Sequence, residues 1–265
     1  MGRITAGLVK SFRNWERSTQ IAFIVAFILF LVAFLLVLIV PITDRQPFLI
    51  GTIGSLFAMQ LIFMWGNRNM VTSFTAAQRL YLQEDFQSAR LLLEKLDEEG
   101  KSDVRSLTLL ANTYRQLGLL DQSEEFVKKA LDFSPFNHFP LYSFGRTLLI
   151  KGDYAGAITA IQQALDAGAP QIVRFDLAEA LYRAGHVDDA VIILREILNL
   201  EQELFRLLMT EYLLYRVAAS PAPSPHKIEA GIIYWRELSA RFQHTPYGQA
   251  LSADIAVMQD LLEAS

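Results

Sequence analysis

The sequence predicts an all-α protein in which a transmembrane helical hairpin precedes an α-solenoid with C-terminal capping helices. Residues 21–40 are twenty consecutive apolar residues, long enough as a helix to cross the roughly 30 Å hydrocarbon core of a bilayer. From about residue 70, apolar residues recur every three or four positions without sustained alternation, which is typical of amphipathic helices. The same region repeats at intervals of 34, 34 and 33 residues, and such a period indicates stacked helical units.

Composition excludes several classes of function. Residues 1–66 contain five basic and two acidic residues, and the remainder contains 19 and 26, so the two parts carry +3 and −7. The acidic second part lacks the basic clusters by which proteins bind nucleic acid. There is no cysteine, and the four histidines are far apart in sequence. We therefore expect no metal, no cofactor and no nucleic acid.

The first anchor element is the span 21–40. A cleavable signal peptide would have a shorter apolar region and a small-residue cleavage site, whereas Pro41 and a charged turn follow here. Residues 48–65 form a second span of eighteen residues, although glycine and polar residues interrupt it. The alternative for this second span is a buried or interfacial helix. The seven-residue connection with two prolines favours a hairpin over 21–66.

Small residues on the second span predict a helix contact face. Gly51, Ser55 and Ala58 lie on one side, and small residues allow close approach of helices in lipid. Gln60 adds an amide that is better placed against a polar partner than against lipid. Two explanations stay open, which are packing within the hairpin and docking onto a larger membrane complex.

The distribution of basic residues predicts orientation. Four basic residues precede the first span, only Arg45 lies in the connection, and Arg68 follows the second span. By the positive-inside rule both termini and the repeats face the cytoplasm, at the cell inner membrane or another cytoplasm-facing membrane. Residues 1–20 carry Ile4, Leu8, Phe12 and Trp15 at helical spacing. They predict an interfacial amphipathic helix, with a frayed basic tail as the alternative.

The four units of residues 67–204 resemble tetratricopeptide repeats. Their aligned small residues are Ala89, Ser123, Ala157 and Ala190. The clearest unit adds a helix-A aromatic, a turn glycine and a terminating proline, which are Tyr114, Gly118 and Pro135. The first unit departs from the pattern because it has Glu84 where a turn glycine is usual. Each position has a mechanical role, since small residues allow close packing, glycine allows the turn and proline ends a helix.

Residues 205–265 predict a degenerate fifth repeat and a capping helix. A proline-rich segment, Ser220 to Pro225, reads as an insertion in the turn of the fifth unit, or alternatively as a polyproline ligand. In the last helix we expect Gln249, Ser252, Asp254 and Gln259 to face water, as the outer side of an end cap does.

No nucleophile with a base, phosphate loop or metal set is apparent, so we expect no enzyme. The resemblance to tetratricopeptide repeats implies that partners bind along the concave face made by the first helix of each unit. On that face we expect a mixture of arginine, asparagine and aromatic side chains, which suits a peptide anchor. The alternative is a merely solvated groove. The candidate groove residues are Arg105, Thr108, Asn112, Arg115, Tyr142, Arg146, Phe175, Glu179, Tyr182 and Arg183.

The function predicted from these features is a membrane-anchored scaffold or assembly factor for protein-protein interaction. Its partners would be the lipid bilayer and other proteins, in particular membrane proteins or their cytosolic segments. The alternative is a stoichiometric structural subunit of a membrane complex, docked mainly through its hairpin.

Overall fold

A computed structural model describes Trp15 and residues 17–67, 73–200 and 203–264; of residues 66 and 67 it describes the backbone alone. The chain divides into two compact units, 1–72 and 73–265, whereas the sequence predicts the boundary after residue 66. The described residues form helices and no strand. The all-α fold class is therefore confirmed.

The first unit holds two antiparallel helices, α1 (Arg17–Ile39) and α2 (Gln46–Asn67), joined through a 3-10 turn at Ile42–Asp44. The Arg45 Nε donates to the Val40 carbonyl over 2.7 Å and helps to close the turn. On α1, Ala26 is buried, and Phe23, Phe30 and Ala33 are half-buried at the helical spacing of one face. The other faces carry exposed apolar side chains, of which the most exposed on α1 belongs to Ile39 at 76%.

Trp15 is placed differently from the sequence prediction. Its side chain is buried and meets Phe23 and Phe63 edge-on, at ring-centroid distances of 5.5 and 5.6 Å. It packs against the two helices, whereas the sequence predicts it on an interfacial helix. The remaining residues of that predicted helix, 1–14, lie outside the described part of the chain.

The second unit contains eleven described helices and a 3-10 turn at Gln171–Val173. The helices are α3 (Ser73–Leu82), α4 (Phe86–Glu98), α5 (Val104–Gln116), α6 (Leu120–Phe133), α7 (His138–Lys151), α8 (Tyr154–Asp166), α9 (Arg174–Arg183), α10 (Val187–Ile197), α11 (Leu204–Arg216), α12 (Pro225–Arg241) and α13 (Pro246–Glu263). From α3 to α12, consecutive helices pack as pairs, each pair against the next. This arrangement is an α-solenoid.

The same backbone turn ends the first helix of five successive pairs. Gly118, Gly152 and Gly185 have φ of 77°, 84° and 85°, and Glu84 and Ala218 take the same left-handed region at 63° and 55°. After each of them, an N–H donates to the carbonyl five residues earlier over 2.9–3.0 Å, as in a Schellman motif. These bonds join Asp85 to Leu80, Leu119 to Tyr114, Asp153 to Leu148, His186 to Leu181 and Ala219 to Leu214.

The aligned small residues lie in the interior of the array, where its helices pack. Ala89, Ser123, Ala157 and Ala190 are all fully buried. Ser123 is polar, but its Oγ lies 2.8 Å from Thr147 Oγ1 on the next helix, so its hydroxyl is satisfied. A larger side chain at any of the four would force neighbouring helices apart.

The last two helices turn back over the array. Trp235 of α12 is buried, lies 6.1 Å from the Phe175 ring of α9, and donates from Nε1 to the Phe205 carbonyl over 2.8 Å. Helix α13 packs along α12 and also against α7. Gln249 and Ser252 of α13 are exposed as expected. Asp254 is buried, so its prediction as a water-facing cap residue is wrong, and the reason is an ion pair with Arg183 of α9.

Candidate functional site: the inner face of the array

The predicted groove residues lie on α5, α7 and α9, the first helices of the second, third and fourth pairs. We call this surface the inner face. In the structure, α12 and α13 lie against it. Its side chains therefore contact other residues of the same chain. These contacts form three groups, which connect α5 to α7, α7 to α9, and α9 to α13.

The first group connects α5 to α7. Ser143 donates from Oγ to Asn112 Oδ1 over 2.7 Å, and its carbonyl accepts from Arg115 Nη1 at 3.3 Å. Burial lowers the pKa of Arg115, because a guanidinium loses hydration there. These contacts hold the two helices in register.

The second group connects α7 to α9. Asp176 is fully buried, accepts from the Tyr142 hydroxyl at 2.6 Å, and forms an ion pair with Arg146. Burial alone would lower the pKa of Arg146, but the attraction of Asp176, together with that of neighbouring tyrosines such as Tyr142, outweighs the effect of burial, so this pKa is raised. Burial also raises the pKa of Tyr142.

The third group connects α9 to α13. The Tyr247 hydroxyl donates to Glu179 Oε1 over 3.0 Å, and Arg183 Nη2 lies 2.6 Å from Asp254 Oδ2. Asp254 also accepts from the Tyr212 hydroxyl of α11 at 3.0 Å. Burial raises the pKa of Glu179, although Arg183 at 3.5 Å opposes that shift. The pKa of Arg183 is raised, because the attraction of Glu179 and Asp254 outweighs the effect of burial, which by itself would lower this pKa.

The other predicted groove residues have varied surroundings. Thr108 is buried and its hydroxyl donates to the Val104 carbonyl of its own helix at 2.6 Å. Phe175 is buried against Trp235, and the half-buried Tyr182 has the Arg183 guanidinium 5.8 Å from its ring centre. Of the ten residues, Arg105 alone is exposed, and its guanidinium lies 4.9 Å from the centre of the Phe74 ring. The structure therefore differs from the open groove that the sequence predicted.

A small cavity remains where α12 crosses α5 and α7. Its volume is about 190 Å³, and Ile150, Leu238 and Phe242 give it a buried apolar side. Its charged lining residues are Arg115, Arg146, Arg241, Glu84 and Glu237. The lining thus holds three guanidinium groups and two carboxylates, and one of the guanidinium groups, that of Arg146, is paired with Asp176.

The predicted contact residues of the hairpin divide between two faces. A Cβ at Gly51 would lie 3.7 Å from the Ala33 Cβ of α1, so Gly51 faces the hairpin interior. Ser55 and Ala58 are half-buried, and the Ser55 hydroxyl donates to the Thr52 carbonyl at 2.9 Å. Gln60 is exposed.

Several partners of the inner face were missed by sequence reasoning, among them Asp176, Tyr212, Tyr247 and Asp254. Asp176 had a detectable signal, because Asp176, Glu179 and Arg183 recur at steps of three and four and so share one face of a helix. The others come from helices more than twenty residues away in sequence, and no spacing rule connects them to α9. Within the described residues, no group of three or more histidine or acidic side chains is placed to hold a metal ion.

Comparisons with known proteins identify the repeats. Sequence models of the tetratricopeptide repeat family match residues 104–137 and 142–202. The TPR repeat-containing protein YpiA of Bacillus subtilis (strain 168) is 29% identical over 135 residues, which are 48% of this chain and 31% of YpiA. The chain thus spans about a third of that relative's length.

One solved structure has a similar fold, and a second gives a slightly lower score. The thermophilic TPR protein TTC0263 of Thermus thermophilus superposes with a TM-score of 0.50 and 16% identity, over 71% of this chain and 97% of that one. A MamA RS-1 double mutant gives a TM-score of 0.49 with 13% identity, over 73% of this chain and 96% of its own. Neither sequence model describes a catalytic family. The chain therefore contains tetratricopeptide repeats, which form the α-solenoid of its second unit.

Proposed function

We propose that this protein is a membrane-anchored scaffold that brings a cytoplasmic tetratricopeptide array to other proteins. The repeats support the protein-binding part, because arrays of this kind expose long surfaces for partners. The observation that carries the membrane part is the apolar surface of α1 and α2. Both helices are long and apolar enough to cross a bilayer, and most of their large apolar side chains are exposed, such as Ile53 and Phe57 at 66% and 62%.

Such a surface is costly in water. At about 25 cal/mol per Å² of apolar area, two helices with so many exposed apolar side chains favour lipid over solvent. A buried core helix would have its apolar residues covered by the rest of the protein, whereas at most 6% of the candidate spans is buried. A short apolar segment in lipid also satisfies its own backbone when it is helical.

Membrane fractionation and protease protection test this anchor. We expect the full chain to stay with membranes after alkaline carbonate extraction. In sealed right-side-out vesicles, tags at both termini should be protected and the region of Thr43 should be labelled from outside. Release by carbonate would remove the anchor from the proposal, and cleavage of the repeats from outside would reverse the orientation.

The proposed partners are membrane proteins or their cytoplasmic segments, because the anchor would keep the array close to the bilayer. Purification of the tagged full chain in mild detergent, followed by mass spectrometry, should recover such proteins. An unrelated membrane protein with the same tag provides the control. Recovery of no protein beyond this control would contradict the scaffold.

A second function is a structural subunit docked through its hairpin. One observation favours it, which is a surface groove lined by Phe23, Ile53, Leu56, Phe57, Met59, Gln60 and Phe63. Gln60 is exposed among these apolar side chains, and an amide in lipid gains from a polar partner. Gln60→Leu should then lower recovery of the complex without lowering membrane insertion. Equal recovery would leave the scaffold as the better proposal.

A further inference from the structure

The contacts that α13 makes with the inner face indicate what this face can bind. Pro246 begins the helix beside Gly152, close enough that a Cβ on the glycine would lie 2.9 Å from the Pro246 Cβ. One residue further the Tyr247 hydroxyl reaches Glu179, and two turns later Asp254 reaches Arg183. The helix thus contacts both α7 and α9.

The spacing of these contacts is regular on both sides. Tyr247 and Asp254 are seven residues apart, which places them on the same face of α13. Glu179 and Arg183 are four residues apart and share a face of α9. A hydrogen-bond donor of α13 therefore meets a carboxylate, and a carboxylate of α13 meets a guanidinium.

Because Glu179 and Arg183 are buried, any helix that binds here has to supply polar groups that pair with them. Glu179 is fully buried and the Arg183 side chain is 7% exposed. An apolar segment in this place would leave Glu179 and Arg183 with only each other, 3.5 Å apart, and without the hydroxyl and the carboxylate that α13 supplies in a dry site, which is costly. The inner face therefore selects a segment by the polar groups it supplies.

We infer that α13 is an intramolecular ligand, and that it occupies the site at which the inner face binds a helical segment of a partner protein. That segment carries an aromatic hydroxyl and, two turns later, a carboxylate. The inference rests on the proposed protein-binding function. Leu251 and Met258 of α13 are fully buried as well, so a partner segment that replaces α13 has to supply an apolar face together with these polar groups.

The start of α13 supports treating it as a ligand that folds by its own signals. Thr245 caps the helix by accepting from the Gly248 N–H at 3.0 Å, and Pro246 occupies the first turn. Both signals are local to the segment. A synthetic peptide of residues 245–263 therefore contains the helix together with its own start.

The test measures binding of this fluorescent peptide to the full-length protein in mild detergent. Asp254→Asn removes the carboxylate that holds α13 in place, and the peptide can supply that carboxylate again. Asp260→Asn is the matched control, because it makes the same change at an exposed position of the same helix. We expect the Asp254→Asn protein to bind the peptide at least about tenfold more tightly than the parent or the control protein.

A second peptide that carries Asp254→Asn should bind the opened protein at least about tenfold more weakly than the first peptide. The inference is overturned if the Asp254→Asn protein binds no better than the parent, or if the two peptides bind equally. It is also overturned if Asp254→Asn abolishes cooperative unfolding, because the array would then be unable to fold without α13 in place. None of these outcomes bears on membrane extraction or on recovery of natural partners, so failure of the proposed function is recognised separately.

Discussion

Two residues occupy turn positions at which their neighbours in the array have glycine. Glu84 and Ala218 have positive φ, a region that places Cβ close to the following carbonyl and costs an ordinary residue about 1–2 kcal/mol. The five bonds that follow these turns are alike, so stacking of the helices imposes the turn whatever residue stands there. The strain at Glu84 is local, since the residue is exposed.

Glu84→Gly should therefore stabilise the array. Glycine removes the steric cost but adds freedom to the unfolded chain, so we expect a net gain of about 0.5–1 kcal/mol in the free energy of unfolding. Glu84→Ala provides the control, because it removes the same carboxylate and keeps the Cβ. Urea unfolding of the parent and the two variants measures these free energies. Equal gains in stability for glycine and alanine would assign the effect to loss of the carboxylate charge.

Arg146 shows how burial changes the expected effect of a substitution. As a free groove residue, Arg146→Glu would affect binding and leave folding unchanged. In the structure it would place a second carboxylate beside the fully buried Asp176. We expect a loss of about 3–5 kcal/mol in the free energy of unfolding, against less than about 1 kcal/mol for Lys128→Glu, whose side chain is 58% exposed. Equal unfolding midpoints for the two variants would show that the inner face is open to water.

At the scale of elements, the sequence predicted the helices of the array well because their signals are local. Apolar spacing, turn glycines and small contact residues each act within one unit of about 34 residues. The path of α12 and α13 depends instead on contacts such as Arg241 with Gln116, 125 positions apart. The proline-rich segment indicated a break after α11, but no local signal indicated that the following helices would cover the inner face.

The hairpin offers a matched pair of glycines. Gly51 faces Ala33, whereas a Cβ at Gly54 would have nothing within 4 Å. Gly51→Ile should force α1 and α2 apart and lower the thermal midpoint in detergent. Gly54→Ile should leave that midpoint unchanged, and should lower recovery of a complex only if this outer face docks on one. Equal midpoints for the two variants would contradict the packing of α1 on α2.

For the whole molecule, the buried ionisable groups tie stability to pH. Burial raises the pKa of Tyr114, Tyr142, Tyr212 and Tyr247, because a phenolate loses hydration inside the protein. These tyrosines lie on α5, α7, α11 and α13. Tyr142, Tyr212 and Tyr247 take part in the contacts of the inner face and of α13, so their titration reports on its closure, whereas Tyr114 donates to Glu94 of α4.

The direction of the effect follows from proton binding. Above about pH 10 the unfolded chain loses its tyrosine protons, while the folded chain keeps them until its raised pKa values are reached. The unfolded state then binds fewer protons, so the free energy of unfolding falls as pH rises, by about 1.4 kcal/mol per pH unit for each tyrosine. Lys151 acts in the same direction, because the hydrogen bonds that it donates to Asp121 and Glu124 raise its pKa, and that stabilisation is lost as pH rises past the ordinary lysine value.

Urea unfolding of the full chain in mild detergent between about pH 8 and pH 11.5 should show this decline, with stability nearly constant up to about pH 10. Tyr142→Phe should lower stability at about pH 8, because Asp176 loses a hydrogen bond. Above about pH 10 the same variant should decline less steeply than the parent by about 1.4 kcal/mol per pH unit, since it has one titrating group fewer. Parallel declines would mean that the Tyr142 hydroxyl titrates as freely when folded as when unfolded. In that case water reaches the inner face, and α13 does not close it.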